Sequence, residues 1–178
     1  MPVYPKLSSM LGTMTASSSE ALFVSEVVPY LTEIWFDDYT SSVQDWEVVQ
    51  VDLEGFSYLF DISSGRLIAA WGISQGRHGA ARPKSRMAGH PLSAGPGYHR
   101  GHAIPHTLGG LTDINLVPQL GSVNIGAFRP LENRAVATPG AFYFTYWIYD
   151  DPASQTPTAV EQGLLVPGQR EDIRRHAN

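Results

Sequence analysis

The residues with the clearest potential for chemistry lie between positions 99 and 132. His102 offers an imidazole, Asn124 an amide oxygen and Glu132 a carboxylate. Asn124 and Glu132 are eight residues apart, a spacing that returns to roughly the same face of a helix. Such a donor set is hard and rich in oxygen, and it suits Mg²⁺ or Mn²⁺ with several retained waters better than Zn²⁺. The neighbouring Arg100 has the planar fork that clamps a phosphate.

The order of residues in this stretch resembles a known nuclease family. It reads R-G-H, then N-x-x-P-Q, then N-x-G-A-aromatic-x-x-L-E, and it is similar to the DNA/RNA non-specific endonucleases of the ββα-metal (His-Me finger) group. The compact H-x-L-G-G connection that begins at His106 looks like nuclease domains at the C-termini of bacterial polymorphic toxins. The matching residues are Arg100, Gly101, His102, Asn115, Pro118, Gln119, Asn124, Gly126, Ala127, Leu131 and Glu132.

The resemblance implies a role for each polar residue of the motif. His102 is expected to be the general base that activates a water, and Arg100 to stabilise charge on the phosphate. Asn115 is expected to orient the base or the phosphate. Asn124 is expected to be the direct protein ligand of one Mg²⁺ (or Mn²⁺) ion, with Glu132 holding metal-bound waters. The implied reaction is phosphodiester hydrolysis that leaves a 5′-phosphate and a 3′-hydroxyl.

The resemblance also implies partners and an alternative. Nucleic acid, DNA and in some members RNA, is the expected substrate, and a toxin of this kind is normally held by an immunity protein. The family usually has Asp where this chain has His99, and a histidine can make part of the same hydrogen bonding. A protein with this fold that binds nucleic acid or phosphate without cleaving it is the alternative, and metal-dependent hydrolysis of plasmid DNA separates the two.

Charge is distributed unevenly along the chain. Residues 7–65 contain acids but no Lys or Arg, whereas residues 62–112 contain no acid and five of the six histidines. A basic, histidine-rich span favours a polyanionic ligand, because local charge decides what a cleft attracts. An ordinary solvated basic loop explains the span equally well. The candidate substrate contacts are Arg82, Lys84, Arg86 and His106.

Hydrophobic periodicity predicts the elements that position these residues. Apolar residues spaced for a helix run from Leu22 to Trp35, and Pro29 is expected to kink or split that helix. Segments 57–62 and 66–73 flank a short turn with Gly65 and predict a β-hairpin. Further strands are predicted at 46–53, 141–149 and, as the last one, 163–167. A loose arm (1–17), a long irregular loop (74–101), extended segments at 102–105 and 115–119, and a helix over 122–137 that Pro130 can divide complete the prediction.

These elements predict an α+β fold. Its core is expected to be a ββα-metal (His-Me finger) nuclease core with an antiparallel sheet, preceded by an acidic helical segment. We divide the chain into an N-terminal arm and helical segment, 1–45, and a nuclease domain, 46–178.

Composition narrows the class of protein further. The chain has 178 residues, no cysteine and a formal net charge of −5. The lack of cysteine excludes disulfides, thiolate metal sites and a Cys nucleophile, and the net charge argues against a basic DNA-coating protein. No apolar stretch long enough to cross a membrane is present, and residues 1–19 do not read as a secretory signal. We therefore expect a protein that is cytoplasmic or is delivered as a toxin effector, with no membrane partner.

Overall fold

A six-stranded antiparallel sheet forms the framework of the protein. The computed structural model describes residues 2–79 and 87–178. The strands of this sheet lie in the order β1-β2-β3-β6-β7-β8, and β4 and β5 form a separate antiparallel pair. The strands are β1 (Val48–Leu53), β2 (Phe56–Asp61), β3 (Arg66–Ile73), β4 (Tyr98–His102), β5 (Leu116–Leu120), β6 (Phe142–Ile148), β7 (Ala159–Leu165) and β8 (Asp172–Ala177). The predicted α+β class with an antiparallel sheet is confirmed.

Helices cover the sheet on both of its faces. Two π-helical turns, Phe23–Val27 and Val123–Ala127, each lead into an α-helix, and two short 3₁₀ turns lie at His106–Leu108 and Asp113–Asn115. Among the described residues, none of the helices is long and apolar enough to cross a membrane. The α-helices that lie entirely within residues 2–79 and 87–178 are α1 (Leu7–Thr13), α2 (Ser19–Leu22), α3 (Val28–Thr40) and α4 (Arg129–Ala137).

The predicted N-terminal helix changes from a π turn to an α-helix next to its proline, and the helical residues run from Ser19 to Thr40 without a gap. Pro29 is the second residue of α3. Leu31, Trp35 and Tyr39 recur every four residues and are buried against the sheet. The indole ring of Trp35 stacks on Tyr146 of β6 at 5.9 Å. The helices of residues 1–45 thus share one hydrophobic core with the sheet, and the division of the chain at residue 45 stays a prediction.

Three predicted boundaries were wrong. The arm of residues 1–17 contains α1, because Leu7 and Leu11 are fully buried and anchor a helical turn. The segment at 163–167 is not the last strand, since β8 follows it and pairs with β7 along its length. The loop of residues 74–101 ends in a strand, because β4 begins at Tyr98 and pairs with β5.

The side chain of Asn178 joins the β4–β5 pair to the large sheet. Its Oδ1 accepts a hydrogen bond from the backbone N–H of Leu120 at 2.8 Å. Its Nδ2 donates to the carbonyls of Pro118 at 3.0 Å and Pro157 at 2.8 Å. One amide therefore satisfies backbone groups of β5 and of the segment that precedes β7, and it fixes where the small pair sits.

Asp61 closes the β2–β3 hairpin through a buried hydrogen-bond network. Its Oδ2 accepts hydrogen bonds from the hydroxyls of Tyr39 and Ser64, both at 2.6 Å. Its Oδ1 accepts from the backbone N–H groups of Glu47 at 2.9 Å and Ser63 at 3.1 Å. Burial by itself raises the pKa of the Asp61 carboxyl, but these hydrogen bonds stabilise the carboxylate and hold its pKa below the ordinary value.

We predict that Asp61→Asn makes folding less stable by about 1–3 kcal/mol at pH 7, because a charge-assisted network is lost. The lowered pKa means that Asp61 stabilises the fold fully above its unfolded pKa of about 3.9 and loses this effect as pH falls through the folded value. The difference between wild type and variant, measured by urea unfolding, should therefore shrink at acidic pH. The exposed Asp52→Asn is the matched control, and a difference independent of pH would contradict the assignment.

Candidate active site

Five residues predicted from the sequence line one cleft of about 350 Å³. The cleft lies between the end of β4, the 3₁₀ turn that follows it, and the π turn with α4. Other polar residues there are Thr107, Arg129 and Asn133. The five predicted residues are Arg100, His102, His106, Asn124 and Glu132.

His102 is held at the base of this cleft as the last residue of β4. It pairs with Leu116 of β5, and only 6% of its surface is exposed. The imidazole of His106 lies beside it, with 6.0 Å between the ring centroids. A buried imidazole on a paired strand has few rotamers open to it, which is what a positioned proton acceptor requires.

Gly101 is needed because a side chain crosses it. A Cβ atom at this position would lie 2.1 Å from Oε1 of Gln119 and 2.6 Å from its Cβ, closer than real contacts allow. Gln119 is fully buried on β5, opposite His99. The glycine of the R-G-H motif and the glutamine of the N-x-x-P-Q motif therefore fit each other, and together they set how the two strands pack beside His102.

Asn115 lies behind the cleft and acts on the main chain. It is fully buried, and its Oδ1 accepts a hydrogen bond from Ile104 N–H at 2.7 Å. Its Nδ2 donates to the carbonyls of Ile104 and Leu111, both at 2.8 Å. The amide thus brackets Ile104, two residues after His102. This geometry makes Asn115 a positioning residue for the segment that carries the histidine.

Asn124 and Glu132 lie on two successive helical segments. Asn124 is in the second π turn, which closes through a hydrogen bond from Phe128 N–H to the carbonyl of Val123 at 3.1 Å. Glu132 is in the first turn of α4. The helix predicted over 122–137 is divided, but at Phe128 and not at Pro130, which lies inside α4. Both side chains nevertheless line the cleft.

Phe128 anchors this junction to the sheet. Its ring is fully buried and packs on Trp147 of β6 and His176 of β8, with centroids at 6.1 and 5.2 Å. Its carbonyl accepts a hydrogen bond from Nε2 of Gln162 at 3.1 Å. Gln162 also donates to the hydroxyl of Tyr143 at 2.9 Å. The sheet thereby fixes the junction between the segments that carry Asn124 and Glu132.

The phenol of Tyr143 is affected by the charge of Glu132, the carboxylate of the cleft. Burial raises the pKa of its phenol well above the ordinary value, and the negative charge of Glu132 raises it further. Tyr143 is therefore a neutral hydrogen-bonding group at any physiological pH. Its buried, uncharged side chain lies on the face of the sheet that α4 covers.

The cleft residues fit a hard cation that keeps most of its water. Among the described residues, no three His, Cys, Asp or Glu side chains group closely enough to cage a metal ion. The donors present are the amide of Asn124 and the carboxylate of Glu132, beside the imidazole of His102. Mg²⁺ commonly binds through one or two protein oxygens together with waters and substrate phosphate. Asn124 would be the direct ligand in such a site, and Glu132 would hold its waters.

Arg129 is a cleft residue that the sequence analysis missed. It begins α4, three residues before Glu132, and a spacing of three places both side chains on the same helical face. That spacing was the available signal. Arg82, Lys84 and Arg86 lie outside the described residues, and their role as substrate contacts stays a prediction.

The fold and the cleft define an α+β protein whose small strand pair and following helix carry the polar site. Solved structures share this fold: NucA from Streptococcus agalactiae with a magnesium ion bound has a TM-score of 0.54 and 14% identity, over 80% of this chain and 89% of that chain. The same protein with no metal bound has a TM-score of 0.51 and 13% identity, over 82% and 89%. No protein-family model matches the sequence, and no curated protein matches it.

We predict that Asn115→Asp destabilises the fold, although it keeps the shape of the side chain. A carboxylate can accept from Ile104 N–H, but it cannot donate to the two carbonyls, and each unsatisfied buried group costs about 1–3 kcal/mol. Thermal unfolding should show a clearly lower midpoint than wild type. Asn133→Asp, on the exposed surface of α4, is the control. Equal midpoints for the two variants would contradict the bracketing role.

Proposed function

We propose that this protein is a metal-dependent nuclease that hydrolyses phosphodiester bonds of DNA, and of RNA, with little sequence specificity. The observation that carries the proposal is the meeting of His102, Arg100, Asn124 and Glu132 in one cleft, although they come from three separate elements. The similarity of the fold to NucA with magnesium bound supports a hydrolase that uses Mg²⁺ or Mn²⁺.

The site is proposed to be a ββα-metal core. Strands β4 and β5 pair antiparallel, and the π turn with α4 follows them directly in the chain. This order of strand, strand and helix places the histidine on the first strand and the amide and carboxylate on the helical part. It is the arrangement that the R-G-H and N-x-G-A-aromatic-x-x-L-E motifs imply.

His102 acts as the general base. A ring nitrogen takes a proton from a water as the water oxygen attacks phosphorus. The bond from phosphorus to the 3′-oxygen breaks, that oxygen takes a proton from solvent water, and the products carry a 5′-phosphate and a 3′-hydroxyl. Because the imidazole is almost fully buried and backed by the bracketed segment after it, it meets the water in one orientation.

Two arginines and a cation balance the charge of the reaction. Arg100 and Arg129 line the cleft from opposite elements and bind phosphate oxygens whose charge grows in the transition state. Asn124 would hold the cation through its amide oxygen, and Glu132 would orient water bound to that cation. When bound, Mg²⁺ supplies Lewis-acid stabilisation of the leaving oxygen.

The biological role follows from the same resemblance. We propose an antibacterial effector, cytoplasmic or delivered to a target cell, that an immunity protein restrains. The support for this step is the compact H-x-L-G-G connection of residues 106–110. Its first three residues form the 3₁₀ turn His106–Leu108, and the turn ends at Gly109, whose φ is +107°.

We predict that His102→Ala lowers kcat for plasmid cleavage by about 10²–10⁴-fold, because a positioned general base contributes that much. Cleavage is measured with Mg²⁺, with and without EDTA, on plasmid DNA and on RNA. His90→Ala, a variant at an exposed histidine in the same basic span, is the control and should cleave as wild type does. Full activity in a folded His102→Ala protein would overturn the mechanism. A wild type that binds DNA but never cleaves it would favour the alternative of a binding module.

We predict that Arg129→Ala weakens binding to duplex DNA and lowers the slope of log Kd against log salt by about 0.9, the effect of one lost phosphate contact. Fluorescence anisotropy over a salt series measures both quantities. The matched control is Arg175→Ala, on the exposed side of β8, because it has the same total charge as Arg129→Ala. If both variants change the slope equally, Arg129 contributes only general charge.

A further inference from the structure

A histidine outside the predicted catalytic set contacts the proposed metal ligand. Nδ2 of Asn124 lies 3.1 Å from Nδ1 of His99. His99 is exposed on β4, three residues before His102, whereas Asn124 is half-buried in the π turn. The contact therefore joins the strand that carries the proposed base to the turn that carries the proposed ligand.

The ring of His99 packs against the backbone at Gly121. A Cβ atom on Gly121 would lie 3.0 Å from Nε2 of His99, so the missing side chain leaves room for the imidazole. Gly121 N–H also donates to the carbonyl of Gly97 at 3.3 Å, which draws the start of the helical segment toward β4. The imidazole is thus held against the backbone just before the π turn, with Nδ1 facing Asn124.

The orientation of a carboxamide decides whether it can bind a cation. Its oxygen accepts and its nitrogen only donates, and a rotation of 180° exchanges the two ends. In the structure the nitrogen end of Asn124 faces Nδ1 of His99. Because an amide nitrogen only donates, Nδ1 is the acceptor of this contact, and Oδ1 of Asn124 is directed away from the ring.

We infer that His99 is a positioning residue that holds the Asn124 carboxamide with its oxygen presented to the cation. The inference rests on the proposed function, because it assumes the metal site of that proposal. It also accounts for the departure of this chain from the usual Asp. Nδ1 of histidine and Oδ1 of aspartate are both bonded to Cγ, so either residue offers an acceptor at the same distance from the main chain.

The test measures Mn²⁺ affinity by calorimetry and by electron paramagnetic resonance, in the absence of nucleic acid. His99→Leu removes the acceptor and should weaken Mn²⁺ binding about 10–100-fold, as loss of a partner to a metal ligand does. His99→Asn restores a neutral acceptor on Cγ and should bind close to wild type. The carboxylate introduced by His99→Asp can only accept a hydrogen bond from Asn124. This variant should therefore bind Mn²⁺ at least as tightly as wild type. At saturating metal, kcat of His99→Leu should recover toward wild type.

Several outcomes separate this inference from the proposed function. If Asn124→Ala leaves Mn²⁺ affinity unchanged, the proposed metal site itself is wrong. If Asn124→Ala weakens binding but His99→Leu does not, only the positioning role is overturned. Equal weakening in His99→Asn and His99→Leu would also overturn it, because ring packing and not the acceptor would then matter. Thermal unfolding of each variant verifies that the compared proteins are folded.

Discussion

The burial of Phe128 is the constraint on which the candidate site depends. Its ring is held between Trp147 and His176, and its carbonyl is tied to Gln162 of the sheet. Because Phe128 is the junction between the π turn and α4, fixing it sets the relation of the amide before it to the carboxylate after it. The aromatic position of the motif thus has a structural meaning. It is the point at which the two helical segments of the site are attached to the sheet.

The site is divided between a rigid base and charged groups at the rim. The strand pair and the bracketed segment after it hold the imidazole through backbone hydrogen bonds, and the tie from Asn178 keeps this pair against the large sheet. Arg100 lies within β4 and Arg129 begins α4, so the two arginines line the cleft from different elements. In the proposed nuclease, this division would fix the position of the imidazole and leave the contacts to the nucleic-acid backbone adaptable, which suits a substrate that is not recognised by its bases.

The sequence predicted best the features that local chemistry determines. The β2–β3 hairpin and the change of helix type next to Pro29 follow from turn and backbone preferences, and the gathering of the motif residues follows from their order. It failed for β4 and β8, whose polar or glycine-containing sequences become strands only through pairing with distant partners. Nor could it show that Asn115 faces the main chain while Asn124 faces the cleft, since the two amides are alike until packing distinguishes them.

The outer strand of the large sheet has a consequence for how the molecule meets its neighbours. Among the described residues no further strand pairs with β8, and an edge of this kind invites another chain to add a strand. Its sequence places Arg174 and Arg175 next to each other, and Asp172 binds Arg174 and Arg134 in ion pairs of 2.9 and 2.8 Å. A second copy aligned on this edge would have to desolvate these charges. The charges along β8 therefore disfavour the pairing of a second copy at this edge of the sheet.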